Sequence, residues 1–556
     1  MKTLLEERSR IDRSAPALVE PWLVILLVAV VGCAFHFRFN NLEAKQCWYD
    51  EYDTRMRVAG FGGKDLIRFY KSTRLPIPVE KLRSFLHPRW QAGERVPWGA
   101  VLQDDFQISP LYYWTARIWV MLFGDSSLSL RCYSVTLSLL ALPLMYALCL
   151  ELFGSKRLAC ITLCLTASSP AFLIYSQEIR HYSLWAVTIL LSSLTLVRAI
   201  RLRSPGSWAA YASAMAACLL VNPLSLMIAA GHGAFVFLRE RIKFDGLARA
   251  FSGSLLIALL ALVPRFFFYS FDAFTGHGLG WLATPPRDGL PEYLWSITVG
   301  HCAHLFWDSL ASGTGSGGSL MALALTCLVG ISLVYVNRSG SRDQKLFVNT
   351  LIATSIAVLM LRDLLLLGRS ATITRYIFPT LIGCQLALGY LLAGKTDKGK
   401  NDVSDRQRAL WVAVLVSIVI IGWHGSFKVS SAPAHWANWP QVTASVPEIA
   451  AEINGVAKPV VLVPFQSSSR MPLVLVERLA AGADIIPCSS TMPGWRDSML
   501  AELHAGRAVF VWDPRLELIS ELRNGCDLAP VSIESSGKAW RILRRTGVSG
   551  DASPES

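Results

Sequence analysis

Two adjacent carboxylates, Asp50 and Glu51, lie in an aromatic stretch that follows the first hydrophobic segment of the chain. The stretch is CWYDEYD at positions 47–53. A carboxylate at the edge of a bilayer can stay ionised and take a proton from a hydroxyl group, which is the work of a general base. The same pattern is typical of a loop whose Trp and Tyr side chains anchor at the membrane interface. Both interpretations are open at this point.

Other charged groups share one property with this stretch: all fall in segments that we expect on the same side of a membrane. They are Asp104-Asp105, Glu178 with Arg180 and His181, and Arg369 with Arg375 and Tyr376. Transfer of a group from a lipid phosphate needs a base and cations that offset charge on the departing phosphate. The planar fork of Arg suits that task. The sequence therefore predicts an active site at one membrane face.

Each group also has a structural interpretation. Asp104-Asp105 is typical of a solvated turn before a helix, and Arg180-His181 of a belt at the interface. Arg375-Tyr376 begins a span from the outer side, against the positive-inside rule, which favours a functional role. His301 and His304 have i,i+3 spacing but no carboxylate at a useful interval, so ordinary interfacial histidines are favoured over metal ligands.

The cysteines do not indicate a metal site. Most of the 12 lie in apolar runs, where Cys behaves as a small hydrophobe, and no spacing suggests structural zinc. The pairings Cys488–Cys526 and Cys47–Cys302 are left open.

Composition shows which solvent the chain is built for. Of 556 residues, 53% are hydrophobic and 17% charged, with a mean hydropathy of +0.40. Soluble domains are about one-quarter charged, so lipid surrounds much of this protein. The net charge of +13 is spread in short clusters between apolar runs, which is the positive-inside pattern and not a nucleic-acid surface. The clusters lie at 2–13, 156–157, 198–203, 239–243, 338–345 and 395–408.

Eleven membrane spans are predicted from apolar runs of about 17–25 residues. They are 21–39, 129–153, 158–175, 183–200, 207–221, 224–238, 246–268, 319–336, 347–366, 377–394 and 409–424. Residues 1–20 form a cytoplasmic tail and not a cleavable signal. Two long loops, 40–125 and 269–318, face outward. The first holds a helical piece from Tyr52 to Tyr70, and residues 110–114 are expected to begin an interfacial helix.

Composition changes again after the last span. Residues 460–463, 508–512 and 540–543 are predicted strands and 473–481 a helix, which indicates a small α/β domain over 430–556 on the outer face. We expect a lid or a partner-binding domain there, and the chemistry elsewhere.

Five motifs occur in the order seen in one enzyme family. They are WYDE at 48–51, Asp105 with PLYY at 110–113, LFG at 122–124 with Leu130-Arg131, Ser169-Pro170 with YSQEIRHY at 175–182, and Arg375-Tyr376 with Pro379. Residues 20–425 thereby resemble the bacterial membrane glycosyltransferases related to protein O-mannosyltransferases and to the lipid A aminoarabinose transferase. One departure is QISPL at 107–111, where the family often has His-Pro-Pro-Leu-Tyr, so the loop on the acceptor side is expected to differ.

The resemblance implies a GT-C fold with a periplasmic active site in the bacterial inner membrane. It implies an inverting transfer of sugar from a polyprenyl-phosphate donor to an acceptor hydroxyl. In that scheme Asp50, with Glu51, supplies the catalytic carboxylate. The residues expected at the donor phosphate and lipid are Arg180, Arg375, Tyr376, Glu178, Tyr182 and His181, and those on the acceptor loop are Asp104, Asp105, Tyr112 and Tyr113. A divalent metal held by Asp50 with Asp104 or Asp105 is left open.

The leading hypothesis is therefore a glycosyltransferase whose partners are a polyprenyl-phosphate sugar, membrane lipids and a glycan, lipid or protein acceptor, with no nucleic acid. The alternatives are a transporter or flippase and an envelope-assembly scaffold. Transport sites lie at mid-span, whereas the ionisable residues here cluster in outer loops, with Arg362 and Asp363 as exceptions. The sequence does not identify the sugar or the acceptor, for which the 54–105 and 269–318 loops are expected to be selective.

Overall fold

The structure is a computed structural model. It describes residues 19–88, 109–263, 289–307, 316–398, 404–433, 445–464, 471–488, 494–514, 516–524, 526–531 and 539–544. Asp104 and Asp105 lie outside these ranges, as do most of the 54–105 loop's second half and much of the 269–318 loop.

Long apolar helices form most of the described chain, and each predicted span overlaps one of them. Their bounds are Pro21–Phe39, Ser127–Phe153, Lys156–Ser168 with Pro170–Ser176, Tyr182–Leu202, Pro205–Val221, Ser225–Arg239, Gly246–Leu260, Ser316–Ser339, Arg342–Leu366, Phe378–Thr396 and Asp405–Ser431. Within the described ranges, six helices are long and apolar enough to cross a membrane, or seven if the bent pair Lys156–Ser168 and Pro170–Ser176 is one span. The chain is therefore built as a multi-pass membrane protein, while the number of eleven spans stays a prediction.

Local sequence explains where several of these helices begin and bend. Ser126, Ser155 and Ser404 each cap a helix by accepting a hydrogen bond from a backbone N–H in the first turn, which satisfies a donor that would otherwise have no partner. The 59° bend after Ser168 lies at Pro170, which has no N–H to continue the helix. Gly389 allows close helix packing, because a Cβ there would overlap Thr162.

Shorter helices fold from the first long loop. The predicted helical piece from Tyr52 to Tyr70 is two helices, Tyr49–Ala59 and Gly63–Ser72. They separate at Gly60, whose φ of +101° suits glycine. The other helices in the described part of this loop are Val79–Arg83, the 3₁₀ turn Ser84–Leu86 and Pro110–Phe123, the last overlapping the predicted interfacial helix. The second long loop contributes Gly289–Trp295, a π-helical turn Ser296–Gly300 and His301–His304.

A six-stranded mixed sheet forms at the C-terminal end. Its strands are β1 (Ile77–Pro78), β2 (Val460–Pro464), β3 (Asp484–Cys488), β4 (Val509–Trp512), β5 (Cys526–Pro530) and β6 (Ala539–Arg544), in the order β1-β3-β2-β4-β6-β5. β2 pairs in parallel with β3 and β4, and the other pairs are antiparallel. The helices around it are Val446–Asn454, Met471–Val476, Trp495–His504 and Leu516–Arg523.

This sheet confirms the three predicted strands and adds a feature that the sequence did not predict. Its edge strand β1 comes from the first loop, with Ile77 opposite Ile485, so the sheet is not made from the C-terminal residues alone. Cys488 and Cys526 lie on strands separated by three others, and both are free thiols, as are Cys47 and Cys302. Neither pairing left open by the sequence is formed.

Candidate active site

Asp50 lies in the first turn of the helix Tyr49–Ala59, called the Asp50 helix below. The Asp50 carboxylate lies 3.5 Å from the Arg180 guanidinium, measured from Oδ2 to Nη2, and the two side chains are 18% and 14% exposed. Arg180 Nη1 also donates to the Asp50 carbonyl oxygen at 3.3 Å and to Thr54 Oγ1 at 3.2 Å. One arginine therefore fixes the first turn of this helix, and Asp50 keeps a path to solvent.

Glu51 is in quite different surroundings. Its side chain has no exposed surface and forms an ion pair with Arg131, whose Nη2 lies 3.2 and 3.1 Å from the two carboxylate oxygens. The backbone N–H groups of Ile179 and Trp48 donate to it at 2.9 and 3.2 Å. Its oxygens thus join three elements: the start of the Asp50 helix, the helix Ser127–Phe153 and the turn at 177–181.

That turn holds Glu178 and Arg180 against the Asp50 helix. Gln177 anchors it, since its Nε2 donates to the carbonyl oxygens of Phe37 at 2.8 Å and Asn40 at 3.0 Å. Glu178 is fully buried. Burial, and then the negative charge of Glu51, raise the pKa of Glu178 to about 8, against the opposing effect of Arg180 and Arg375. Glu178 is therefore mostly protonated at pH 7.

Arg375 approaches the site from the 3₁₀ turn Thr374–Tyr376. Its guanidinium lies 5.7 Å from the centre of the Trp48 ring and 5.5 Å from that of Tyr376, and the residue is 6% exposed. Burial alone would lower the pKa of Arg375, but the acidic groups of Tyr182, Tyr376 and Asp50 hold that pKa above its usual range. Arg375 is therefore buried and keeps its positive charge.

Tyr49 shows that these groups form one cluster. Burial and the Asp50 charge raise the pKa of Tyr49 well above its usual range, while Arg375 and Arg180 act in the opposite direction. The Tyr49 hydroxyl is thus within electrostatic range of Arg180, Arg375 and the Asp50 carboxylate. The structure brings together Asp50, Arg180 and Arg375 from segments that are far apart in the chain.

Comparisons with known proteins match this fold. Residues 107–268 match the family described as dolichyl-phosphate-mannose-protein mannosyltransferase. The ArnT structure from Cupriavidus metallidurans bound to undecaprenyl phosphate has a TM-score of 0.54 and 13% identity, covering 96% of this chain and 99% of that one. Apo ArnT from the same organism gives a TM-score of 0.52 and 13% identity, covering 93% and 97%. The chain therefore shares the fold of ArnT. The resemblance inferred from its motifs is confirmed, and a sequence search of curated proteins gives no match.

The other predicted site residues that the structure describes are aromatic or histidine side chains near Arg180. The centre of the Tyr182 ring lies 6.0 Å from the guanidinium carbon of Arg180. His181 Nε2 is 3.2 Å from Asn222 Nδ2. Tyr112 packs against Tyr113 and, at 6.4 Å between ring centres, against His181. These side chains border the turn at 177–181, so they lie next to the group formed by Asp50, Arg180 and Arg375.

No group of three or more His, Cys, Asp or Glu side chains in the described part of the chain is arranged to hold a metal ion, and Asp104 and Asp105 are not among those residues. His301 has a structural role, because its Nε2 donates to the Ala371 carbonyl oxygen at 2.7 Å in the turn that leads to Arg375. Burial lowers the pKa of His301 to about 4, so it stays neutral.

Sequence reasoning did not assign chemical or positioning roles to four residues of this site: Arg131, Trp48, Thr54 and Tyr49. Arg131 had a usable signal, because it is a cation at the outer end of a predicted span, where the positive-inside rule disfavours it. For Trp48 the sequence predicts only an aromatic anchor at the interface. Its ring instead packs against Arg375.

Proposed function

We propose that this protein is an inverting glycosyltransferase that moves a sugar from a polyprenyl-phosphate carrier to an acceptor hydroxyl. The observation that carries the proposal is the partly exposed Asp50 carboxylate beside Arg180, with the buried cation Arg375 in the same cluster. A base and two phosphate-binding groups are the parts that this reaction requires. The undecaprenyl phosphate bound to ArnT supports the choice of carrier.

In this proposal Asp50 accepts the proton of the acceptor hydroxyl. The acceptor oxygen then forms a bond to the anomeric carbon while the bond from that carbon to the carrier phosphate oxygen breaks. Attack opposite the leaving phosphate inverts the anomeric configuration. The polyprenyl phosphate leaves with the bonding electron pair, and the sugar is now attached to the acceptor.

Arg180 and Arg375 offset the charge that grows on the departing phosphate. A donor phosphate at Arg180 would compete with Asp50 for the guanidinium and release the carboxylate to contact the acceptor. Glu178, being mostly protonated at pH 7, adds little negative charge beside the phosphate. The buried ion pair of Glu51 with Arg131 favours a positioning role for Glu51 over direct chemistry.

We place the site on the periplasmic side of a bacterial inner membrane. The basic clusters of the sequence fall on one side of the predicted topology, and the Asp50 cluster falls on the other. The acceptor is an envelope glycan, a lipid or a protein.

A transporter is less well supported, because its strongest candidate residue has a structural role. The Asp363 carboxylate accepts hydrogen bonds at 2.7 Å from the backbone N–H groups of both Ser370 and Ala371, and at 3.1 Å from the Tyr293 hydroxyl. Asp363 therefore fixes the turn that precedes Arg375. It is not needed as an ion-binding group within a span.

The deciding experiment is transfer of radiolabelled sugar from a panel of polyprenyl-phosphate sugars by purified protein, with Asp50→Asn alongside. We expect label to move with wild type and not with the variant, and the active donor then names the sugar. A folded wild-type protein that uses none of the donors, or an Asp50→Asn variant with full activity, would overturn the proposal.

A further inference from the structure

A carboxylate from the C-terminal part of the chain contacts the Asp50 helix directly. Glu477 follows the helix Met471–Val476, and its Oε1 accepts a hydrogen bond from Arg55 Nη1 at 2.5 Å. Its Oε2 accepts one from the Tyr52 hydroxyl at 2.9 Å. Both partners are buried, with the Arg55 side chain 2% exposed and Tyr52 1%, while the Glu477 side chain is 30% exposed. A partly exposed carboxylate therefore holds two buried side chains of this helix.

The segment that carries Glu477 is itself fixed to the first loop. Arg83 donates to the Val476 carbonyl oxygen at 3.1 and 3.0 Å, from Nε and Nη2. Arg478 Nε donates to Gln46 Oε1 at 3.1 Å. Strand β1 pairs with β3 close by. The segment that carries Glu477 is therefore held in place where Glu477 contacts the Asp50 helix.

The contact meets the Asp50 helix on a different face from Arg180. At about 100° of rotation per residue, Arg55 and Tyr52 point about 140° and about 160° away from Asp50. Arg180 holds the face of Asp50 and Thr54, whereas Glu477 holds the face turned away from them. Contacts on both faces fix the rotation of the helix about its axis, and with it the direction of the Asp50 carboxylate.

We propose that Glu477 is a positioning residue, which orients Asp50 by holding Tyr52 and Arg55. The C-terminal sheet is then a working part of the transferase, beyond a role as a lid or a partner-binding unit. This inference rests on the proposed function. Its effect is expected on turnover, since a small displacement of a catalytic group is costly, and not on the affinity for the donor phosphate.

The test compares full-length wild type with Glu477→Gln and with Glu517→Gln, a matched change at an exposed acid of the same region. Glutamine keeps the shape of Glu477 but loses one acceptor oxygen and the charge. We expect kcat to fall about tenfold or more with donor KM unchanged and the protein still folded, and no change for Glu517→Gln. The charge exchange Arg55→Glu with Glu477→Arg is expected to restore part of kcat.

Hydrogen exchange gives a second measurement that needs no activity. We expect faster amide exchange across residues 49–55 in Glu477→Gln, with the 177–181 turn unchanged. Wild-type kcat in Glu477→Gln, or unchanged exchange at 49–55, would overturn the positioning role. If the wild type transfers no sugar while exchange at 49–55 rises in the variant, the proposed function fails and the hold of Glu477 on the helix stands.

Discussion

Asp50 and Glu51 are neighbours in the chain, yet the two sides of the helix on which they lie have opposite characters. On the Asp50 side, one arginine sits 3.5 Å from a carboxylate that is 18% exposed. On the Glu51 side, a carboxylate with no exposed surface receives hydrogen bonds from Arg131 and from two backbone N–H groups. A catalytic base must meet its substrate, whereas a buried ion pair fixes a shape. From this difference we propose chemistry for Asp50 and positioning for Glu51.

The largest expected effect tests the Asp50 side. Asp50→Asn removes the base, and we expect transfer to fall by about 10²- to 10⁴-fold. Asparagine can still accept a hydrogen bond from Arg180, so the unfolding temperature in detergent should stay close to that of wild type. Loss of activity together with loss of folding would remove the contrast with Glu51.

The second prediction concerns the Glu51 side. Glu51→Gln leaves Arg131 as a buried charge without its partner, which costs about 3–5 kcal/mol of unfolding free energy. Thermal unfolding of the detergent-solubilised protein measures this change. Adding Arg131→Gln to Glu51→Gln is expected to recover part of the stability. An inactive Glu51→Gln variant with wild-type stability would instead give Glu51 a chemical role.

Arg375 separates donor binding from the proton transfer at Asp50. Arg375→Ala removes the buried cation that we propose binds the donor phosphate, so we expect donor affinity to fall about 10- to 100-fold. Arg375→Lys should be intermediate, because it keeps the charge and loses the fork. Arg249→Ala, at an exposed position, is the control. Unchanged donor KM in Arg375→Ala would reject this role.

The smallest effect concerns Glu178 and pH. The folded protein keeps a proton that the unfolded chain releases near the ordinary pKa of 4.5, while the folded pKa is about 8. The stabilisation from this group is therefore complete below pH 4.5 and is lost as pH rises through 8.

Above pH 8, ionised Glu178 should also raise donor KM, by less than about tenfold, through repulsion of the phosphate. Glu178→Gln should remove both pH dependences. We would measure unfolding temperature and donor KM from pH 5 to 9. Parallel profiles for wild type and Glu178→Gln would show that Glu178 does not titrate in this range.

How much could be read from the sequence depends on the range of the interaction. The apolar helices followed from local hydropathy, which acts within one segment. The meeting of Asp50 with Arg180 and Arg375 could be expected, because the sequence predicts all three on the same side of the membrane. The pairing of Glu51 with Arg131, 80 residues away, and the contact of Glu477 with Tyr52, 425 residues away, could not, since pairing over such separations leaves no local pattern. The two-residue strand β1 is likewise too short to produce a periodic signal.

Strand β1 has a consequence for how the protein is made. Its partner strand β3 is synthesised about 400 residues later, after the intervening apolar helices. Strand β1 of the first loop therefore has no partner strand while those helices enter the membrane. It can pair with β3 only near the end of synthesis. Contacts between such distant segments form late. A chain that is interrupted between the last apolar helix and Glu477 would contain Asp50, Arg180 and Arg375 and still lack the support of Glu477. The nascent protein would therefore gain its full working arrangement only when it is nearly complete.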